Sequence, residues 1–458
     1  STVPTDRVGL GRLAVAKAVF QLVQNSYWTA DSAVARVFRL ILVAAAAGRP
    51  PRLRCCRADC RRCGPTAMTA SASRPPAATT FRAGPAGDRS DRPQVVIDLE
   101  KLRHINCGLG RFSYYLGREL LRVAERPFDL VFLMPQAAQR YFPEGGFHTL
   151  PAQLSRKEVV QQLVRPALRP FFGKPRFDLW HVSNQMSRYL PLDPRVPVIL
   201  TVHDLNFLHE SPQEDRGREI DRKLADIQRK VNRATAVVTD SQYVADDLAA
   251  HVDLGDRPVH VVPLGLGEPP QASAARPGFL PEGPFLFTVG NCLIHKNFHV
   301  LFDLLPTLPG TRLVVAGKKA TPYGEHLERE IASRGLADLV IMPGEISDGD
   351  RQWLYEHCEA FLFPSLTEGF GFPVLEAMQA GRPVFCSRMT SLPEIAGDAA
   401  TFFEGFDAES LAAVYRDGMQ RFHADPVAAD KLRAHAATFT WAETARRYCR
   451  VYADVLGR

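Results

Sequence analysis

From Gln94 onward, short apolar runs alternate with stretches in which apolar residues recur every three or four positions. The first pattern fits buried strands and the second fits amphipathic helices. Val95–Leu99 reads as a strand and Phe112–Val123 as a helix, with a predicted loop between them holding Gly108, Leu109 and Gly110. Further strands are predicted at Phe128–Met134, Leu179–Val182, Val196–Val202, Ala236–Thr239 and Val259–Pro263. Leu266 to Pro284 is rich in Pro, Gly and Ala and reads as a linker. A second series of strands follows at Phe285–Val289, Arg312–Ala316, Leu339–Met342, Ala360–Pro364, Pro383–Cys386 and Thr401–Phe403. Pro426–Leu456 is helical in pattern. Continuous apolar runs separated by helical segments predict parallel sheets covered on both faces, and therefore two consecutive doubly wound α/β domains.

Residues 1–93 differ from the rest. Leu13–Ala47 keeps some helical periodicity with interspersed Arg, as in a basic helix lying on a membrane surface. Met68 opens a Ser/Pro/Ala/Gly run to Pro93 with the composition of a disordered linker. The Arg, Ala and Cys richness before Met68, without an initiating Met, favours a biological chain that starts at Met68. Native peptides from upstream of Met68 would refute that expectation. The apolar stretch Leu40–Ala47 falls far short of the roughly 18–20 residues that a spanning helix needs.

Charge sharpens the division. The net charge is +6, but residues 1–67 carry 11 Lys/Arg against 3 Asp/Glu, leaving 45 basic and 47 acidic residues in 68–458. A nearly neutral main body argues against a nucleic-acid partner. Four of the nine cysteines (Cys55, Cys56, Cys60, Cys63) crowd into the basic segment, with no second pair at metal-binding spacing. The other five are scattered, as in a reducing compartment.

The densest chemistry lies in Pro364-Ser365-Leu366-Thr367-Glu368-Gly369-Phe370-Gly371-Phe372-Pro373-Val374-Leu375-Glu376-Ala377-Met378. This run leaves a predicted strand and opens a helix, with Pro373 suited to its first turn and Gly381 closing it. Loops at the carboxyl ends of strands are where open α/β sheets bind ligands. Gly369 and Gly371 admit close backbone approach, and the helix N-terminus offers free N–H groups to an anion. Glu368 and Glu376 suit the hydroxyls of a sugar or ribose, because carboxylates accept strong charge-assisted hydrogen bonds. Taken alone, Glu376 is better read as serving the helix dipole, and the case for a ligand rests on the whole run.

Glu368 to Glu376 resembles the E-x7-E motif of retaining glycosyltransferases of family 4, which have the two-Rossmann GT-B fold; the resemblance covers about residues 94–458. Gly108-Leu109-Gly110-Arg111 resembles the family's Gly-rich acceptor-side loop, and Thr201-Val202-His203-Asp204-Leu205 its His-Asp segment. Asp240-Ser241, Pro263-Leu264-Gly265, and Val289-Gly290 with His295-Lys296-Asn297 match further elements in order, and Trp441 matches the aromatic of a closing helix that packs on the first domain. The resemblance implies that Glu376 binds the donor ribose and Glu368 the transferred sugar. It also implies that backbone N–H groups at Phe370, Gly371 and Phe372 face the sugar and phosphates, and that Lys296 holds the diphosphate. His203 would help position the sugar, and Gly344-Glu345-Ile346 would lie near the base. Where many members carry an Arg directly after the glycine Gly290, this chain has Asn291, leaving His295 or Arg111 as substitutes for neutralising the diphosphate.

Asp348-Gly349-Asp350 has the D-x-D form of metal-dependent sugar transferases, but Ser347, Asp348 and Asp350 are also what a helix N-terminus prefers. The capping reading is adopted, and no metal or other cofactor is expected. Gly108-Leu109-Gly110 has Ser113 where a dinucleotide fingerprint needs its third glycine, and no P-loop, H-E-x-x-H or G-x-S-x-G occurs.

The expectation is therefore a GT-B enzyme, α/β in class, with two Rossmann-like domains facing a central cleft. The acceptor-side domain is placed at 94–265, the linker at 266–283, the donor domain at 284–438 and the returning helix at 439–458. The expected reaction moves a sugar, with mannose from GDP-mannose as first choice on family frequency, to a saccharide or lipid-linked acceptor in surface-polysaccharide or lipopolysaccharide synthesis. That implies a cytoplasmic protein with peripheral contact at the inner face of the plasma membrane. The rivals are a sugar-nucleotide epimerase and a non-catalytic nucleotide-sugar-binding protein on the same scaffold.

Overall fold

The structure, a computed structural model, describes residues 92–152, 176–209, 217–273 and 275–458. The Leu13–Ala47 helix, the cysteine cluster and the linker run up to residue 91 were predicted in a segment outside the described residues. Two parallel sheets carry the rest. The first holds β1 (Gln94–Asp98), β2 (Asp129–Met134), β3 (His148–Pro151), β4 (Leu179–Val182), β5 (Val198–Val202), β6 (Ala236–Thr239) and β7 (Val259–Val261), ordered β3-β2-β1-β4-β5-β6-β7. The second holds β8 (Phe285–Val289), β9 (Arg312–Ala316), β10 (Val340–Gly344), β11 (Phe361–Phe363), β12 (Val384–Ser387) and β13 (Thr401–Phe403), ordered β10-β9-β8-β11-β12-β13.

These strands form where the apolar runs lie because both faces are covered: all five residues of β1 and of β5 are buried. Strand β3 has no counterpart in the sequence reading. It is four residues long, sits at the sheet edge and ends in Pro151, too short a segment to show alternation. In each sheet the strand order reverses once, between β1 and β4 and between β8 and β11. Such switch points leave a crevice at the carboxyl ends of the flanking strands.

The helices used below are α1 (Gly108–Arg122), α2 (Asn206–His209), α3 (Gly217–Arg233), α4 (Gln242–His251), α5 (Pro322–Ser333), α6 (Asp348–His357), α7 (Phe372–Gln379), α8 (Leu392–Ala396), α9 (Ala408–Ala424), α10 (Ala428–Ala437) and α11 (Trp441–Leu456). One expectation is corrected here: Gly108, Leu109 and Gly110 are not a loop but the first turn of α1. Gly110 is needed there for contact rather than for flexibility, since a β-carbon would stand 2.1 Å from the His104 carbonyl oxygen. The helical stretch after Pro426 forms two helices, α10 and α11. The chain breaks at Thr438–Thr440, where Leu266 N–H donates to the Phe439 carbonyl and Thr440 caps α11 through Glu443 N–H.

Helix α11 packs against the first sheet. Trp441 stacks on Tyr115 with ring centroids 5.3 Å apart. The Tyr452 hydroxyl lies 2.8 Å from His181 Nδ1, and Thr201 Oγ1 lies 2.8 Å from His181 Nε2 and 3.0 Å from the Tyr448 hydroxyl. Burial lowers the His181 pKa to about 3, so the ring is neutral and its two nitrogens can take one acceptor and one donor role. Tyr448 and Tyr452 are fully buried. Each such ring removes roughly 150–250 Å² from water, an upper bound of about 4–6 kcal/mol.

A second buried group in this sheet makes stability depend on pH. Asp98, at the end of β1, is fully buried; Ser187 Oγ–H and Glu100 N–H donate to its carboxyl. Burial raises its pKa from 3.8 to about 7, against the opposing hydrogen bonds. A carboxyl with a raised folded pKa binds its proton more tightly in the native state. Its contribution is full below about pH 4 and is lost as pH climbs through about 7. Asp98→Asn, which keeps an acceptor for Glu100 N–H, should raise Tm by a few degrees at pH 8 relative to wild type and flatten the pH dependence between 4 and 7. Thermal denaturation at pH 5 and pH 8 checks this, and parallel profiles for the two proteins would contradict it.

Candidate functional site

Both halves of the switch point in the second sheet carry predicted site residues. The loop after β8 holds Gly290, Asn291 and Lys296, and the loop after β11 holds Glu368, Gly369, Phe370 and Gly371 before α7 begins at Phe372. The structure joins the two loops. Lys296 Nζ donates to Glu368 Oε1 at 2.5 Å, both side chains being largely buried, and Leu366 N–H donates to the His295 carbonyl at 2.7 Å. The Lys296 side chain runs alongside Gly290, where a β-carbon would stand 3.4 Å from its Cε. Its ammonium also lies 5.3 Å from the Phe363 ring centroid.

Helix α7 starts at Gly371, which has φ 115, a left-handed conformation that glycine tolerates, and no side chain caps the helix. An uncapped N-terminus leaves N–H groups for an anion. Glu376 follows in the second turn. Its Oε2 accepts the Tyr355 hydroxyl at 2.9 Å, while Oε1 lies 4.0 Å from both Arg111 and Arg351. Gly344, with φ 85, ends β10, and Glu345 follows it three residues before α6. Ser347 caps α6 by accepting Asp350 N–H. Asp348 pairs with Arg111 at 2.9 Å and Arg351 at 3.0 Å, and Asp350 accepts the Ser273 hydroxyl at 2.7 Å. Among the described residues no group of three His, Cys, Asp or Glu side chains is arranged to hold a metal ion.

Glu368 is held by its backbone as well. Thr390 Oγ1 accepts its N–H at 3.0 Å, and the Ser391 hydroxyl reaches its carbonyl at 2.9 Å and that of Phe370 at 3.0 Å. Thr390 has φ 54, a costly conformation for a β-branched residue.

The first sheet supplies the other wall. The loops after β5 and β6 touch the Glu368 loop: Thr367 Oγ1–H donates to Asn206 Oδ1 at 2.9 Å, and Ser241 Oγ–H to the Gly369 carbonyl at 2.9 Å. The N-terminus of α4 is covered by Glu394 of α8, which accepts the N–H groups of Gln242 and Tyr243. Gly369 has no room for a side chain. A β-carbon would stand 2.2 Å from the His203 carbonyl oxygen and 2.9 Å from Asp204 Cβ.

His203 therefore meets this loop through its backbone, while its ring turns into the first sheet. Nδ1 lies 2.6 Å from Asp240 Oδ2, Nε2 lies 2.9 Å from the Ser183 carbonyl, and Phe112 packs on the ring at 4.6 Å. Both ring nitrogens are thus taken within the first sheet. Burial alone would lower the His203 pKa, but the Asp240 carboxylate and the Ser183 carbonyl raise it. Burial raises the Asp240 pKa as well, against the attraction of His203. Of the predicted acceptor-side residues, Gly108 and Gly110 begin α1, and Arg111 reaches across to Asp348. Sequence reading missed Tyr355, Arg351, Thr390, Ser391 and Glu394. Arg351 and Tyr355 are four residues apart on α6 and share one face, a spacing visible in the sequence without any sign of what that face meets.

Comparison with known proteins gives a consistent picture. Residues 272–435 match the family model described as glycosyl transferases group 1, and residues 107–266 that of glycosyltransferase family 4. O-antigen chain mannosyltransferase B of Escherichia coli is 36% identical over 388 residues, covering 76% of this chain and 96% of that protein. Serotype-specific mannosyltransferase WbdA of Escherichia coli is 30% identical over 241 residues, 49% of this chain, and this chain spans only 29% of its length. Among solved structures, sucrose-phosphate synthase from Thermosynechococcus elongatus has a TM-score of 0.56 at 18% identity, covering 80% of this chain and 100% of that one. Anabaena Alr3699/HepE, solved in complex with UDP and glucose, has a TM-score of 0.57 at 16% identity, covering 79% of this chain and 100% of that one. A switch point in each parallel sheet, the E-x7-E spacing and these matches lead to one assignment: the chain belongs to glycosyltransferase family 4 and has the GT-B fold.

Proposed function

We propose that this protein is a retaining hexosyltransferase that moves mannose from GDP-mannose to a saccharide or lipid-linked acceptor in O-antigen or related surface-polysaccharide synthesis. The observation that carries the reading is the Lys296–Glu368 pair, set between the two switch-point loops and beside the uncapped start of α7. A cation, a carboxylate and free helix N–H groups are the partners required where a sugar meets its diphosphate. The mannosyltransferase names of the relatives support the choice of sugar.

In this reading Glu376 grips the ribose, Glu368 accepts from hydroxyls of the transferred sugar, and Gly344 and Glu345 lie on the side of the base. Lys296 and the N–H groups of Gly371 and Phe372 hold the diphosphate, alongside Gly290 and Asn291. Arg111, already in contact with Asp348, brings α1 and its glycines Gly108 and Gly110 to the acceptor side. His203 stands behind the Gly369 contact, shaping the wall of the site. The bond from the anomeric carbon to the diphosphate oxygen breaks, with its electron pair leaving on the nucleotide. The acceptor hydroxyl bonds to the same face, and its proton passes to the departing phosphate oxygen. Lys296 and the helix N-terminus offset the charge that develops, so the reading calls for no metal. It places the protein on the cytoplasmic side, in peripheral contact with the membrane that carries the acceptor.

The test is a panel of nucleotide sugars, with and without EDTA, scored by thermal stabilisation and slow donor hydrolysis, with Glu376→Ala as control. A ligand that binds the folded state raises Tm by mass action. GDP-mannose should stabilise the wild type, release mannose slowly, resist EDTA and lose its effect in the variant. If no nucleotide sugar shifts Tm, the donor site is misassigned; if one binds without sugar release, the non-catalytic reading takes its place.

A further inference from the structure

We infer that Tyr355 is a positioning residue that presets Glu376 for the donor ribose, a role that rests on the reading of Glu376 given above. Tyr355 is almost wholly buried in α6, its ring packed between Phe287 at 5.0 Å and Phe361 at 5.3 Å. With the ring locked, its hydroxyl has one direction to point, and it donates to Glu376 Oε2 at 2.9 Å. Burial, reinforced by the Glu376 charge, holds the phenol well above its ordinary pKa, so it stays a donor across the working range.

The two carboxylate oxygens of Glu376 are thereby divided. Oε2 is fixed from within the protein. Oε1 has Arg111 and Arg351 at 4.0 Å, too far for a hydrogen bond. It is the oxygen left to accept from a ribose hydroxyl. A free glutamate on a helix surface loses rotamer freedom when a ligand fixes it. The Tyr355 hydrogen bond makes that ordering part of folding, so binding begins from the productive rotamer. If the bond only tied α6 to α7, its loss would lower stability and leave nucleotide affinity unchanged.

The experiment titrates GDP and UDP into wild type, Tyr355→Phe, Glu376→Ala and the double variant, followed by donor-hydrolysis kinetics. Phe keeps the ring packing and removes only the hydroxyl. Tyr355→Phe should weaken the tighter of the two nucleotides by about 5- to 10-fold, or roughly 1–1.4 kcal/mol. KM for the donor should rise by the same factor, with kcat changed less than about twofold. In the Glu376→Ala background, adding Tyr355→Phe should cost no further affinity. Wild-type affinity in Tyr355→Phe, or an equal loss in both backgrounds, would overturn the inference while leaving the site reading intact. Wild type that binds neither nucleotide would overturn the site reading and the inference with it.

Discussion

Replacing Glu368 by Gln should lower turnover at least about 100-fold, while affinity for the free nucleoside diphosphate stays within about threefold of wild type. The change is nearly isosteric, so the backbone clamp by Thr390 and Ser391 and the contact with Lys296 remain sterically possible. What it removes is the charge. Lys296 loses its counter-ion, and the sugar loses an acceptor whose hydrogen bonds strengthen as positive charge grows at the reacting carbon. The nucleoside half of the donor is assigned to Glu376, eight positions away, and keeps its partners. Steady-state kinetics alongside calorimetric titration with GDP checks this. Undiminished turnover removes Glu368 from the mechanism, and a parallel collapse of GDP binding moves it to the nucleotide side.

Gly369→Ala is expected to be nearly as damaging for a different reason. Its β-carbon would stand 2.2 Å from the His203 carbonyl oxygen, a backbone atom that cannot turn aside. One wall must move, which breaks the Ser241 hydrogen bond to the Gly369 carbonyl and displaces Glu368 next to it. A misplacement of about 1 Å at a reacting centre can cost about 100-fold in rate. The buried strands of both sheets lie outside this contact, so Tm should fall by only a few degrees. Kinetics with a scattering measurement of the radius of gyration would separate the outcomes, and a normal rate in the variant would mean that this contact does not set the working geometry.

Much of this was legible in the sequence because the apolar runs are long and buried on both faces. Leu179–Val182, Ala236–Thr239, Phe285–Val289, Arg312–Ala316 and Thr401–Phe403 begin and end where the pattern puts them. The Gly369–Phe372 run was readable because glycine spacing, a proline and two carboxylates all serve one local event, a strand turning into a helix. What stayed hidden depends on meetings distant in sequence. That the His203 ring would turn toward Asp240, 37 positions on, cannot be read from its own neighbours. Nor can the meeting of Tyr355 with Glu376, or of Arg111 with Asp348, 237 positions away. Gly110 looked like loop chemistry because glycine is ambiguous; its true constraint is the His104 carbonyl beneath it.

The position of α11 carries a consequence for how the protein is made. Tyr448 and Tyr452 complete the buried hydrogen bonding of His181 and Thr201, residues translated some 250 positions earlier. Domains generally fold as units, the N-terminal one first, as the chain emerges from the ribosome. Here the first sheet cannot close its core in that order, because its last layer arrives after the entire second sheet has been synthesised. Until then Phe128 and His181 face solvent or a chaperone, and a nascent chain stalled anywhere before Trp441 presents an unfinished apolar surface. The docking of a sixteen-residue helix is thus the last step in closing the first sheet's core.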